Sequence, residues 1–270
     1  MLIMSPKRKD GFTLVELLVV IAIIALLMSI LMPVLSRAKE QTRNVVCQGN
    51  LRQYGIAGTM YLDSNDGAFP LTHAYLFTTI WSACQWHDEM RWADVDGSLW
   101  PYFSAKKVHL CPTFRSIAKT RGQGHLGHDS KIPVVPQYGY SMNAWLGPFI
   151  AEWEASGDFV KVMQVRRPAN VFFFSEENMW TIFGMGNGAV LNDTNLWIGP
   201  PDVEDFYDFF GTFHNAPQGD MDRGTCNAVF VDGHVEQLDL MDGTLKEAKE
   251  KAWEVAYPAW PKLPPGSGRR

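Results

Sequence analysis

From Phe12 to Leu35 the chain runs for 24 residues with one charge, Glu16. Coiled as an α-helix, that stretch is roughly 36 Å long, against about 30 Å for the hydrocarbon core of a bilayer, so it is long enough to span one. A secretory signal peptide has an apolar region of about 7 to 15 residues followed by a small-residue cleavage site. This run is longer, and "MPVLSRAKE", residues 32–40, offers no A-x-A pattern. Lys7, Arg8 and Lys9 precede the run, and the positive-inside rule keeps them in the cytoplasm while the chain after Leu35 crosses the membrane. Glu16 is the anomaly, because an acid at mid-membrane costs roughly 2.5 to 3.5 kcal/mol and ordinarily has an assigned partner.

The stretch "GFTLVELLVV", residues 11–20, with its basic flank, resembles the N-terminal processing signature of type IV prepilins and type II secretion pseudopilins. The resemblance extends from residue 7 to about residue 40. It implies that a prepilin peptidase cuts between Gly11 and Phe12 and methylates the new amine, leaving residues 1–11 as a leader. That leader carries three positive charges and one negative, so its removal takes the net charge from −5 to −7. Glu16 becomes the fifth mature residue, the position at which the family pairs a carboxylate with the N-terminal amine of a neighbouring subunit. Two buried opposite charges satisfy one another only when subunits are in register. Pro33 becomes the twenty-second mature residue, where pilins often carry a helix-loosening proline, and its missing N–H predicts a local kink or melted turn.

Beyond Leu35 the sequence becomes amphipathic. Cys47, Leu51, Tyr54, Gly58 and Tyr61 fall on one helical stripe while Gln48, Arg52 and Gln53 point elsewhere. With no proline between residues 34 and 69, the pattern predicts one helix from about Phe12 to Leu62, on the order of 75 Å long. Residues 12–35 form its membrane and assembly half and residues 36–62 its amphipathic half. Gly49, Gly55 and Gly58 each lower helix propensity by about 1 kcal/mol relative to alanine, which predicts fraying or close packing there. The helix is expected to end in "DSNDG", residues 63–67. That stretch lacks the twelve-residue loop and terminal glutamate of an EF-hand, so a helix-terminating turn is the better reading than a calcium site.

Residues 63–257 read as an α+β head, with short apolar segments broken by Gly, Pro, Asn and Asp. The expected whole is pilin-like: a long N-terminal membrane-spanning helix packed on a mainly β C-terminal head. In "NAVFVDGHVEQL", residues 227–238, two apolar runs flank Asp232-Gly233, which predicts a hairpin with a tight type I′ turn. "NVFFFSEEN", residues 170–178, reads as a buried strand ending in a turn. "TLKE", residues 244–247, has the form of a capping box introducing a short helix. Residues 258–270, rich in Pro and Gly, read as a disordered tail.

The head fragments "CQGNLRQYG", "HLCPTF", "YGYSMN", "RRPANVFFFSEEN" and "NAVFVDGHV" resemble a branch of the pilin-like family common in the planctomycete and lentisphaera type of bacteria, whose members carry a C-terminal H-x9-D-G element. Here the position separated from Asp232-Gly233 by nine residues is Asp222, not histidine, and the nearest upstream histidine is His214. The four cysteines, Cys47, Cys84, Cys111 and Cys226, contain no C-x-x-C pair, so zinc-ribbon and thioredoxin-like readings lack their ligands. An even count suits two disulfides, and spacing alone allows three pairings. Within the resemblance, Cys47 and Cys111 look like a recurring pair, which leaves Cys84 with Cys226.

A net charge of −5 and the lack of a basic face after residue 52 set nucleic acid aside as a partner. "GQGHLG", residues 122–127, matches G-x-G-x-x-G but has neither the preceding strand nor the following helix of a dinucleotide loop. His125, His128 and Asp129, or His214 with Asp220 or Asp222, could supply metal ligands, but neither set reaches a convincing third one by sequence. No metal or cofactor is expected. Ser36-x-x-Lys39 and Ser116-x-x-Lys119 lack the companion motifs of a serine acyl-enzyme, so the chain does not read as an enzyme. His214 and His234 read as structural groups around the hairpin, and Trp81, Trp86, Trp92 and Trp100 as core or as a surface patch.

The leading expectation is a pilin-like or pseudopilin-like structural subunit of a type IV pilus or type II secretion-like filament. It would sit in the bacterial inner membrane as a single-pass protein, leader cytoplasmic and head periplasmic, and reach the cell surface on assembly. Its partners would be the prepilin peptidase, other subunits through the helix, the inner-membrane assembly machinery and the lipid bilayer. The alternative is a pilin-anchored cell-surface protein whose head captures polysaccharide, metal or secreted cargo.

Overall fold

The computed structural model describes residues 13–76, 85–87, 97–121, 131, 133–148, 159–182, 184–185, 194–202, 208–217 and 220–261. Its first element is α1, Leu14–Ser64, and the chain divides into two units, one ending at Thr42 and one beginning at Arg43. In the first unit every large apolar side chain from Leu14 to Leu35 is at least 45% exposed. A helix apolar all round with no protein covering it is built for a non-aqueous neighbour.

The second unit holds the rest of α1, a helix α2 (Pro112–Arg121), strands β1 (Tyr140–Asn143), β2 (Phe172–Glu176), β3 (Asn195–Leu196), β4 (Cys226–Phe230) and β5 (Val235–Leu238), and a helix α3 (Leu245–Ala256). The strands form one mixed sheet in the order β3-β1-β2-β4-β5, antiparallel except for the β1–β3 pair. This is the α+β, pilin-like layout that the sequence pattern predicts.

Helices cover both faces of the sheet. On one, Cys47, Leu51 and Tyr54 of α1 pack with Phe173, Phe174 and Val229; on the other, Ala248, Ala252 and Trp253 of α3 pack with Phe172, Cys226, Ala228 and Phe230. The period-2 alternation of strand side chains distributes β4 between the two layers. The Phe172–Phe174 run needs a further device, because Phe173 and Phe174 lie in the same layer. Between Phe172 and Phe174 the register with β4 shifts by one residue, a bulge that turns both rings toward α1, their centroids 4.4 Å apart.

The predicted stripe on α1 is buried at Cys47, Leu51, Tyr54 and Gly58 and half-buried at Tyr61. Gly55 and Gly58 sit where the helix closes on the sheet: a Cβ at Gly55 would lie 2.7 Å from Val229 Cγ2, and one at Gly58 2.5 Å from Phe173 Cε1. Gly49 has open space instead. One assignment is corrected, since Gln48 does not point away from the sheet: its Nε2 donates to Asn227 Oδ1 at 3.1 Å. After Ser64 the chain turns through left-handed residues, Asp66 (φ 53°) and Gly67 (φ 70°), and the Gly67 N–H returns to the Leu62 carbonyl at 2.9 Å. This is the helix-terminating turn that "DSNDG" predicts.

The β4–β5 hairpin forms with a different turn from the predicted type I′. The Phe230 N–H donates to the His234 carbonyl and the Gly233 N–H to the Phe230 carbonyl, both at 2.9 Å, leaving a three-residue loop, Val231 to Gly233. Only Gly233 takes a positive φ, +90°, the signature of a type I turn followed by a glycine bulge. The reason is tertiary: the Val231 and Asp232 N–H groups bond the Val171 and Pro168 carbonyls at 3.0 and 3.3 Å, which carries the β4 pairing past a two-residue turn. At α3 the expected capping box is present, with Thr244 Oγ1 and the Glu247 carboxylate each meeting the other residue's N–H.

Candidate functional site

Two places in the described chain concentrate polar chemistry in apolar surroundings. The first is the start of α1. The Thr13 N–H and hydroxyl donate to Glu16 Oε2 at 2.8 and 2.7 Å, and the Glu16 N–H faces Thr13 Oγ1 at 3.3 Å. This is a capping box, so the acid near the head of the apolar run satisfies the helix's own first turn. The signal was in the sequence, because "TLVE", residues 13–16, has the same form as the "TLKE" that opens α3. Gly11 and Phe12 lie outside the described residues. Of the two expected outcomes at Pro33, a kink or a melted turn, the melted turn is absent, because Pro33 lies inside α1, which is helical on both sides of it; the ring removes one N–H from the helix ladder.

The second place lies where the head half of α1 meets the sheet. Cys47 on α1 and Cys111, the residue before α2, form a disulfide with their Cα atoms 5.2 Å apart. Against it lies His214, whose Nε2 is 3.4 Å from Cys111 Sγ and 2.8 Å from Glu176 Oε1. Glu176, the last residue of β2, accepts at Oε2 from the Asn227 N–H at 2.8 Å and from Asn227 Nδ2 at 3.2 Å. Asn227 reaches onward to α1, where its Nδ2 donates to Asn44 Oδ1 at 2.7 Å and its Oδ1 accepts from Gln48. Cys47, Cys111, Glu176 and His214 all have 0% exposure. The backbone fixes the histidine, because His214 and Thr225 exchange both N–H···O bonds, at 3.0 and 2.6 Å.

Two turns of helix beyond Cys47, the Tyr54 hydroxyl meets His109 Nδ1 at 2.8 Å, and the His109 ring lies nearly parallel to Trp100 with centroids 5.5 Å apart. Burial lowers the His109 pKa to about 3, so this ring is neutral, and the tyrosine hydroxyl can pair with it in either tautomer because it both donates and accepts.

The remaining predicted residues are distributed. His214 meets Glu176 and Cys111, whereas Asp222 accepts from Trp180 Nε1 at 2.7 Å and Asp220 caps the short turn Met221–Arg223. His234 is part-exposed, stacked on Phe230 and bonded to Asp232 at 2.6 Å. Cys226 is a buried free thiol whose pKa is pushed well up by burial and then by the charge of Glu176. Its suggested partner Cys84, with Trp81, Trp92 and the "GQGHLG", His125, His128 and Asp129 stretch, lies outside the described residues. Trp86 is core, edge-on to Phe114. Ser116 Oγ accepts from Arg43 at 3.3 Å and donates to the Thr113 carbonyl, while Ser36 and Lys39 lie on the exposed face of α1. Glu176 was not singled out in the sequence; its one signal is an acidic pair, Glu176-Glu177, closing an otherwise apolar strand.

Residues 6–32 match the family model described as the prokaryotic N-terminal methylation motif. No curated protein and no solved structure matches the chain. Among the described residues, α1 is the helix long and apolar enough to cross a membrane. The motif and the apolar helix that continues it together support a prepilin-type, pilin-like protein with a single-pass membrane anchor.

Proposed function

We propose that the chain is a pilin-like or pseudopilin-like structural subunit, cleaved between Gly11 and Phe12, methylated at Phe12, held in the membrane through residues 12–35 and packed helix to helix in a filament. The observation that carries this reading is the methylation motif running straight into a helical stretch, residues 14–35, whose large apolar side chains are exposed all round and whose one acid, Glu16, stands in the first turn of α1. Exposed leucine and isoleucine are compatible with lipid and equally with neighbouring helices, so the same surface serves storage in the bilayer and packing in a filament. While the subunit is alone, Thr13 satisfies the Glu16 carboxylate. During assembly the methylated amine of a neighbouring subunit takes over as partner, so that an ion pair with charge on both groups replaces hydrogen bonds from neutral donors to the carboxylate.

N-terminal mass mapping of the membrane-extracted protein, with and without a prepilin peptidase, tests the processing step. A methylated Phe12 terminus that depends on the peptidase is expected, and an intact Met1 terminus would remove the reading. Glu16→Gln keeps the capping geometry but loses the charge, so it is expected to leave processing and membrane insertion intact while abolishing filament incorporation.

A further inference from the structure

The buried group at Cys47, Cys111, Glu176 and His214 is more elaborate than a disulfide needs. Their ligand-type atoms all lie within 4.8 Å of one another. A single nitrogen, His214 Nε2, faces both the carboxylate at 2.8 Å and the Cys111 sulfur at 3.4 Å. A buried Glu–His pair is weak evidence of stabilisation even with Asn227 supporting the carboxylate, and a disulfide sulfur is a poor hydrogen-bond acceptor, so the convergence on Cys111 calls for a second role.

Two sulfurs, an imidazole nitrogen and a carboxylate oxygen are a tetrahedral zinc donor set. Zinc bonds of about 2.3 Å to sulfur and about 2.0 to 2.2 Å to nitrogen and oxygen put tetrahedral corners roughly 3.3 to 3.8 Å apart. The Nε2-to-sulfur and Nε2-to-oxygen separations are within about half an ångström of that range. The carboxylate oxygen that faces away from the histidine is already held by two donors of Asn227, the outer support that metal-bound carboxylates ordinarily have. The four ligands come from α1, the residue before α2, the end of β2 and the paired backbone at His214, all rigid parts of the head.

We propose that these four residues form a zinc site in the chain whose Cys47–Cys111 bond is reduced, so that the same position is closed by a disulfide or by a metal ion. Reduction by a dithiol breaks the S–S bond: two electrons and two protons pass to the cysteine sulfurs, and the donor leaves as its own disulfide. Zinc then displaces one proton from each thiol to solvent. His214 binds through Nε2 as the neutral ring, and Glu176 binds as the carboxylate. Two thiolates and one carboxylate around the dication leave one net negative charge, which the Asn227 N–H groups face.

The test uses the full chain in detergent micelles. One sample is reduced under argon with a phosphine, which takes up the oxygen of water while the two sulfurs gain its protons, and the other is left oxidised. Both are titrated with Co2+ and then Zn2+. The reduced chain is expected to bind stoichiometric metal, to give the visible bands of tetrahedral cobalt with thiolate charge transfer, and to exchange it for zinc; the oxidised chain is expected to give neither. In the reduced state Glu176→Gln is expected to weaken zinc by more than about ten-fold. A reduced chain that takes up no metal overturns the proposal, as does equal uptake by the Cys47→Ser/Cys111→Ser chain or undiminished affinity in Glu176→Gln. The comparison of reduced with oxidised chain needs no substitution, so a variant that fails to fold leaves the decisive result standing.

Discussion

His109 is the residue whose environment is most at odds with its chemistry. The free imidazole has a pKa near 6.5, and burial brings it to about 3 in the folded chain. Below pH 6.5 the unfolded chain takes up a proton that the folded one refuses, so this group's contribution is complete above that pH. It is lost as pH falls toward 3, at about 1.4 kcal/mol per pH unit. Denaturant midpoints of the full chain in detergent are expected to drop between pH 7 and pH 5. In His109→Gln, which starts from a lower stability, that slope should flatten. Nothing in "HLCPTF" marks the histidine as buried, because its burial is made by Trp100, Phe103 and Tyr54, three neighbours from other segments. Residues with a local reason were legible, such as Thr244 with Glu247. Glu176 was not, since its partners His214 and Asn227 lie 38 and 51 positions away.

At the scale of elements, periodicity revealed more than propensity did. The 3.6-residue stripe located the face of α1 that packs on the sheet, and it did so through glycines that lower helix propensity. Two substitutions separate the roles of those glycines. Gly49→Ala enters open space and is expected to stabilise the head by up to about 1 kcal/mol. Gly58→Ala places a methyl against Phe173, a ring already set against Phe69 and Phe174 at centroid distances of 5.3 and 4.4 Å. Overpacking of that kind costs about 1 to 3 kcal/mol, which outweighs the propensity gain, so the second variant is expected to lower the thermal midpoint while the first raises it. The helix α2 was legible but short: Pro112 suits a first helical turn because it has no N–H to leave unpaired, and Phe114, Ile117 and Ala118 follow at i, i+3 and i+4 and pack in the core, a stripe of three residues too brief to stand out among the loops around it. The hairpin was placed correctly and its turn was not, because the pairing of Val231 and Asp232 with a segment some 60 residues earlier decided the loop length.

For the molecule as a whole, the order of layers was legible and the order of strands was not. A long apolar helix, an amphipathic continuation and a head of short strands follow from composition and period, whereas β3-β1-β2-β4-β5 is set by contacts between distant segments, one strand being Asn195–Leu196 alone. The disulfide bears on how the whole chain answers tension. Cys47 is the first buried residue of α1, and its bond reaches Cys111, 64 positions on. A pull on the N-terminus therefore passes through sulfur directly to the start of α2, and the intervening chain is a closed lobe that tension cannot pay out. At about 3.4 Å per extended residue the lobe stores roughly 220 Å of contour length. Force spectroscopy of the oxidised chain is expected to show total extension shorter by that amount than the reduced chain. Equal extensions would mean that the bond does not bridge the load path. A protein built this way keeps a covalent reserve of slack, released by chemistry and not by load.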